Sequence, residues 1–150
     1  MANIFNNDFR EFLQALNQQK VNYLLVGGYA VILHGYRRST GNMDLWIQTT
    51  AENYKNLGKA CNQFGLPIID MTEENFLNNN LIEVFTYGRP PVSIDIMKTI
   101  KGCNFDEAYT ISQVYIEDSL EIRYLHYNSL IQAKKASGRY KDLDDIEKLS

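Results

Sequence analysis

Two aspartates and an asparagine carry the first legible chemistry in this chain. Asn42 and Asp44 stand two positions apart, and Asp95 follows about fifty positions later. Carboxylate and amide oxygens suit hard cations such as Mg²⁺ or Mn²⁺, which prefer oxygen ligands and commonly bridge to substrate phosphates. Upstream, Gly27-Gly28 adds a second ingredient. A glycine pair lets the backbone come close to a phosphate, and the free N–H groups of a helix beginning there favour an anion. Taken singly, Gly27-Gly28 is as readily a tight turn and Asp44 a strand-end cap. Together, a glycine turn beside oxygen ligands makes a site for a nucleoside triphosphate and its metal.

The surrounding pattern must bring these pieces to one place. Asn7 or Asp8 can cap a first helix in which Phe9, Phe12, Leu13 and Leu16 share one face, ending near Gln18. Tyr23 to Val26 reads as a short strand running into the glycine pair, and Ala30 to Leu33 as a short helix after it. Asp44 to Ile47 forms a second strand, with Asp44 and Trp46 on one side. Thr49 and Glu52 match a capping box for a helix through Tyr54, Leu57, Cys61 and Phe64, stopped by Gly65. A helical turn is expected at 72–77. The runs 81–87 and 92–97, around Gly88-Arg89-Pro90-Pro91, predict a hairpin in which Asp95 points away from the aliphatic side formed by Val92, Ile94 and Ile96. Asn104 caps a helix over 105–111, the runs 114–116 and 120–124 pair, and two helical pieces, 128–137 and 141–149, break at Gly138. No internal repeat, low-complexity tract or flexible linker interrupts this order.

Composition sets the outer limits. The 150 residues suit one domain, with about 126–150 as a C-terminal helical segment. Apolar residues at 45% and charged residues at 22% provide for a core and disfavour disorder. Fifteen basic against eighteen acidic residues leave a formal charge of −3, so no broad positive surface draws the chain to nucleic acid or membrane. Two cysteines, Cys61 and Cys103, exclude a disulfide framework and read as small apolar residues. With no leader-like start and no stretch near the ~18 apolar residues of a membrane span, a cytoplasmic location is expected.

The runs Leu25-Val-Gly-Gly-Tyr-Ala-Val-Ile-Leu-His-Gly35 and Arg38-Ser-Thr-Gly-Asn-Met-Asp-Leu-Trp-Ile47 resemble the active-site block of the DNA polymerase β-like nucleotidyltransferase superfamily, and Ser93-Ile-Asp95-Ile fits its third acid. The tail, with Lys134, Arg139, Lys141, Asp142 and Asp145, is similar to that of small bacterial members, including relatives of AbiE-type toxins. The likeness covers most of residues 22–149. It implies an α/β (α+β) fold, a small mixed twisted sheet flanked by helices, and transfer of a nucleoside monophosphate from a nucleoside triphosphate to a hydroxyl. The acceptor is a tRNA end, a protein hydroxyl or a small molecule. It also implies that Asp44, Asp95 and position 42 hold Mg²⁺ or Mn²⁺, that Gly27 and Gly28 cradle phosphates, and that Arg38, Thr40, Lys134, Arg139 and Lys141 help to position the nucleotide.

One departure matters. Where the family has an acid at the first position of the pair, this chain has Asn42, which supplies no negative charge. Two further readings therefore stand beside the enzyme: a catalytically impaired nucleotide-binding or protein-interaction module, and a phosphatase or nuclease built on paired acids. The glycine turn fits the last of these less well. Plainer roles are expected for Trp46 and Tyr29 as packing residues and for His34 as a structural histidine. Arg37, Arg38, Lys134, Arg139 and Lys141 can equally be solvated charges, the tail ones with i, i+4 partners such as Asp145.

Overall fold

The structure, a computed structural model, describes residues 4–36, 40–89 and 92–149. Six strands, β1 (Tyr23–Val26), β2 (Asn42–Ile47), β3 (Val84–Arg89), β4 (Val92–Met97), β5 (Gln113–Glu117) and β6 (Leu120–Tyr124), form one mixed sheet in the order β3-β4-β2-β1-β6-β5. The β2–β4 and β1–β6 pairs are parallel and the other three antiparallel. Among the described residues seven helices accompany the sheet: α1 (Asn7–Gln18), α2 (Gly27–Leu33), α3 (Ala51–Phe64), α4 (Glu73–Leu77), α5 (Phe105–Thr110), α6 (Tyr127–Ser137) and α7 (Tyr140–Leu149). The expected mixed α/β architecture is present. Among the described residues no helix is long and apolar enough to cross a membrane.

Strand alternation sorts the core into two faces. Tyr23, Leu25, Met43, Leu45, Ile47, Ile94 and Ile96 point to one side, where they meet α1, α3 and α4 through Phe9, Phe12, Leu16, Leu57 and Phe76. Leu24, Val26 and Trp46 point to the other, against Ala108 of α5 and Leu130 of α6. Asp44 and Asp95, one position out of phase with the aliphatic set, lie on this second side. Trp46 is buried there, its indole N–H donating to Lys98 O at 3.3 Å, and Tyr29 stacks on Phe5 with ring centroids 4.7 Å apart. Both are packing residues. His34 is structural as well, its Nε2 2.7 Å from Leu125 O.

Several boundaries differ from the sequence-based expectation. The cap of α1 is Asn6, whose Oδ1 accepts from Phe9 N–H at 2.8 Å, and not Asn7 or Asp8. Thr50 rather than Thr49 caps α3, accepting from Asn53 N–H at 3.2 Å. In both cases several capping residues adjoin, and only backbone geometry chooses among them. The glycine pair forms the first turn of α2 instead of preceding it, and β2 begins at Asn42, two residues earlier than expected. Cys103 is half-buried, not fully buried, with its thiol 3.6 Å from Ser129 O.

Asn53, only 2% exposed, joins three elements. Its Oδ1 accepts from Asn22 N–H at 2.8 Å, and its Nδ2 donates to Asn22 O at 3.1 Å and Gln48 O at 2.8 Å. The start of β1, the end of β2 and the first turn of α3 are thereby tied together. Asn53→Ala strands one buried N–H and two carbonyls and is expected to cost about 3 kcal/mol, measured as a lowered urea midpoint at unchanged slope.

Candidate active site

The parallel register of β2 and β4 sets Asn42 opposite Ser93 and Asp44 opposite Asp95. Because period 2 sends residues two apart to the same side, all three sequence-predicted ligand positions share one face. On the antiparallel hairpin, Asp95 also faces Thr86. Its two oxygens are both engaged: Thr86 Oγ1 donates to Oδ1 at 2.7 Å and Asn42 Nδ2 donates to Oδ2 at 2.8 Å. Thr86 was not singled out from the sequence. The expected four-residue connection, 88–91, would have set Val84 opposite Asp95; β3 instead runs from Val84 to Arg89, which shifts the register and brings Thr86 there.

Asp44 is the strained member. Burial, then its hydrogen bond to Asp95 and the charge there, push its carboxyl up to about 7; Lys141 and Lys134 pull weakly the other way. The donors are hard oxygens on one face, which fits Mg²⁺ or Mn²⁺ by donor type. Among the described residues, however, no group of three His, Cys, Asp or Glu side chains comes together to hold a metal ion. Position 42 contributes an amide in place of the third acid.

Gly27 closes the site from β1. Its φ is +66°, and a Cβ built there would lie 2.1 Å from Asp44 Oδ2. A Cβ on Gly28 would lie 2.6 Å from Thr40 Oγ1, which itself donates to Asn42 O at 3.3 Å. The glycine pair thus lets the chain pass directly against the acid row. Val26 supplies no side-chain cap to α2, whereas α1, α3, α4, α5 and α6 each receive one from Asn6, Thr50, Thr72, Asn104 and His126. The N-cap position of α2 therefore supplies no side-chain acceptor to the first N–H groups beside Asp44.

A cleft of about 490 Å³ opens beside Gly27 and Asp44, with Met97, Leu125 and Leu130 in its wall and Lys134, Arg139 and Asp142 at one end. Lys134 is not the solvated charge that the tail pattern allows. It is 7% exposed and its Nζ lies 3.2 Å from Asp142 Oδ1 and 3.0 Å from Asp145 Oδ2. Arg139, largely exposed, donates to Asp142 through Nε at 2.7 Å and Nη2 at 3.4 Å. Lys141 is exposed, yet close enough for Asp44 to feel its charge. Asp142 and Asp145 were named from the sequence only as part of the tail and as an i, i+4 partner; their joint pairing with Lys134 was missed, since nothing in the spacing said that the break at Gly138 folds α7 back onto Lys134. Arg38, like Arg37, lies outside the described residues. A larger groove of about 770 Å³, between α1 and the β5–β6 turn, contains none of the predicted site residues.

Compared by sequence, the chain matches no family model and no curated protein. Its fold does match solved structures. A candidate nucleotidyltransferase from Thermotoga maritima superposes with a TM-score of 0.58 at 15% identity, over 93% of this chain and 88% of that one. An antigenic nucleotidyltransferase-like protein from Paracoccidioides brasiliensis gives 0.54 at 12% identity, over 93% and 71%. The lincosamide antibiotic adenylyltransferase LnuA, solved with lincomycin bound, gives 0.54 at 16% identity, over 99% and 98%. The chain has a nucleotidyltransferase-like fold.

Two expectations follow from this geometry. Gly27→Ala meets both a left-handed backbone and the Asp44 carboxylate, whereas Gly65→Ala, at φ +86° with nothing within 4 Å of the added carbon, meets only the first. Gly65→Ala should cost about 1–2 kcal/mol and Gly27→Ala clearly more in the same urea titration. The second concerns Asp142. Burial opposes its ionisation, but hydrogen bonds from Arg139, Ser137 and Lys134 outweigh this and hold its carboxyl down at about 2. A depressed folded value means stability that is present above the ordinary carboxylate range and lost as pH falls towards 2. The gap between wild type and Asp142→Asn should therefore be about 2 kcal/mol or more at pH 7 and shrink to near zero at pH 2.

Proposed function

We propose that the chain, acting as a single domain, is a metal-dependent nucleotidyltransferase that moves a nucleoside monophosphate from a nucleoside triphosphate to a hydroxyl, releasing pyrophosphate. The observation that carries this reading is the row Gly27, Asp44, Asp95: two carboxylates in register on parallel strands with a glycine helix start pressed against one of them. The likeness of the tail to AbiE-type relatives belongs to the same proposal.

Each residue has a part in it. Asp44 and Asp95 would hold the Mg²⁺, which would supply charge neutralisation at the phosphate and favour the deprotonated acceptor hydroxyl. Gly27 and Gly28 offer backbone N–H groups to the phosphates at close range, with no side chain in between. Thr40, packed on Gly28, keeps that turn in place and adds a hydroxyl beside it. Lys141 and Arg139 face the charge that builds on the leaving pyrophosphate. Lys134, already paired with two carboxylates, positions α7 and the arm that carries the other two cations. Arg38 completes the phosphate contacts. Thr86 orients the Asp95 carboxylate.

A small-molecule hydroxyl is the first acceptor to test. LnuA, an adenylyltransferase of a lincosamide antibiotic, shares the fold across nearly its whole length, and the net charge of −3 works against long nucleic acid. Asn42 favours a second reading, in which the chain binds the nucleotide without turning it over. Its amide donates to the acid that it would otherwise join in charge.

Calorimetry with ATP, GTP, CTP and UTP, with and without Mg²⁺, together with a pyrophosphate-release assay, separates the two. Transfer requires Mg²⁺-dependent binding of at least one triphosphate, lost at least tenfold in Asp44→Asn, and pyrophosphate release that rises tenfold or more in Asn42→Asp, about 1.4 kcal/mol of barrier. Binding without release until Asn42→Asp restores it favours the module. Failure of all four nucleotides to bind either form removes both.

A further inference from the structure

We infer that the open edge of β5 is an interface for a second copy of this chain, the two β5 strands pairing antiparallel about a twofold axis at Tyr115. The two sheets then run on as one.

β5 ends the sheet, with β6 on one side and no strand on the other among the described residues. Which of its backbone groups face outward follows from the turn. Asp118 and Ser119, at φ +48° and +70°, form a two-residue connection of the type I′ kind that sets Glu117 opposite Leu120. The pair closing such a turn exchanges both of its N–H···O bonds. Glu117, Tyr115 and Gln113 therefore turn their backbone groups to β6, and Val114 and Ile116 turn theirs outward. β6 shows the same parity: Leu125 N–H donates to Leu25 O of β1 at 3.1 Å, and Glu121 O accepts from Asn17 Nδ2, so the odd-numbered residues there face away from β5. Composition leaves this edge unguarded as well. Gln113-Val-Tyr-Ile-Glu117 holds neither lysine nor proline, the residues that commonly blunt an edge, whereas β3, at the opposite edge, ends at Arg89 and is followed in the sequence by Pro90-Pro91. The side chains of Val114 and Ile116 are 44% and 62% exposed.

Parity and charge together choose the occupant and its register. Outward residues can bond only to outward residues, so a twofold pairing must centre on Val114, Tyr115 or Ile116. Centring on Ile116 would set Val114 against Asp118 and Tyr115 against Glu117, and centring on Val114 would set Ile116 against Ser112. Centring on Tyr115 sets Val114 against Ile116 of the partner subunit, Tyr115 against its own copy, and Gln113 against Glu117 of the partner subunit. On β6, Arg123 stands beside Val114 and Glu121 beside Ile116. Each row across the joint then reads Arg123, Val114, Ile116, Glu121, the first two from one chain and the last two from the other. Aliphatic meets aliphatic, opposite charges close the two ends, and no like charges stand opposite. A foreign segment would have to be built to this pattern, while β5 is its own complement, as a twofold interface requires. The acid row lies clear of this joint: β1 and β6 separate β2 from β5, about 15 Å at the usual strand spacing. The inference thus stands whether or not the chain transfers nucleotides.

Light scattering on the full chain at micromolar concentration should give twice the mass of one chain. Ile116→Lys, a change at an exposed side chain that sets charge into the joint, should give the mass of one. The Val114 and Ile116 amides should exchange with solvent at least tenfold more slowly in wild type than position 114 does in Ile116→Lys. Oxidation should link Tyr115→Cys into a covalent dimer, because Cα atoms paired at a non-hydrogen-bonded position lie about 4.5 Å apart, within disulfide reach. Gln113→Cys should stay unlinked, its two copies being about 13 Å apart along the strands. A wild type with the mass of one chain leaves the edge to a segment of another protein and overturns the inference. An Ile116→Lys that remains a dimer, or a Gln113→Cys that links as readily as Tyr115→Cys, overturns it too. Should Tyr115→Cys not fold, mass and amide exchange still decide.

Discussion

Two carboxyl groups held side by side by strand register, one of them pushed up to about 7, are the constraint that the rest of the molecule answers to. Parallel pairing of β2 with β4 leaves Asp44 and Asp95 no freedom to separate, and burial of Asp44 removes the water that would otherwise screen them. The neighbouring choices follow from that. Thr86 and Asn42 give Asp95 two hydrogen-bond donors, Gly27 brings a backbone turn without a Cβ against Asp44, and Lys141 approaches from α7. A stable fold without function would place apolar partners there. A carboxyl as strongly perturbed as that of Asp44, beside a second acid, is the kind of arrangement found at functional sites.

The C-terminal arm shows a different balance. Lys134 is buried between Asp142 and Asp145, a group whose desolvation is costly and whose mutual attraction in a low dielectric must offset that cost. Such a network gives direction more than net stability. It fixes α7 relative to α6, and with it the position from which Arg139 and Lys141 reach the cleft. Arg139 is tied to Asp142 through its Nε and Nη2 while its side chain stays largely exposed.

The acid row could be read from the sequence because its geometry is local. Alternation alone puts Asn42 with Asp44, and Asp95 opposite the aliphatic set of its strand, whereas the partner of Asp95 was not legible, because β3 runs two residues further into the expected turn. The apolar periods of α1 and α3 located those helices to within a residue or two. Caps were harder, since Asn6, Asn7 and Asp8 are chemically interchangeable until the backbone turns, as are Thr49 and Thr50. What stayed out of reach was long-range: the strand order that sets β4 beside β2, and the fold-back that buries Lys134. Both depend on how separate elements dock. A buried lysine with two acids nearby looks, in one dimension, the same as a solvated helix with i, i+4 pairs.

The crossover between the acids has a consequence for how the molecule is made. All of α3, α4 and β3 lie between β2 and β4, so the two halves of the site meet only after a long excursion of chain has closed. Ordering that loop precedes any reward from the strand pairing, which makes this contact among the slower ones to form. On the ribosome, Asp44 emerges with its own hairpin partner β1 well before Asp95 exists. A nascent chain therefore passes through a stage with one acid of the pair and an open strand edge, and the acid row is completed late, as a property of the finished sheet.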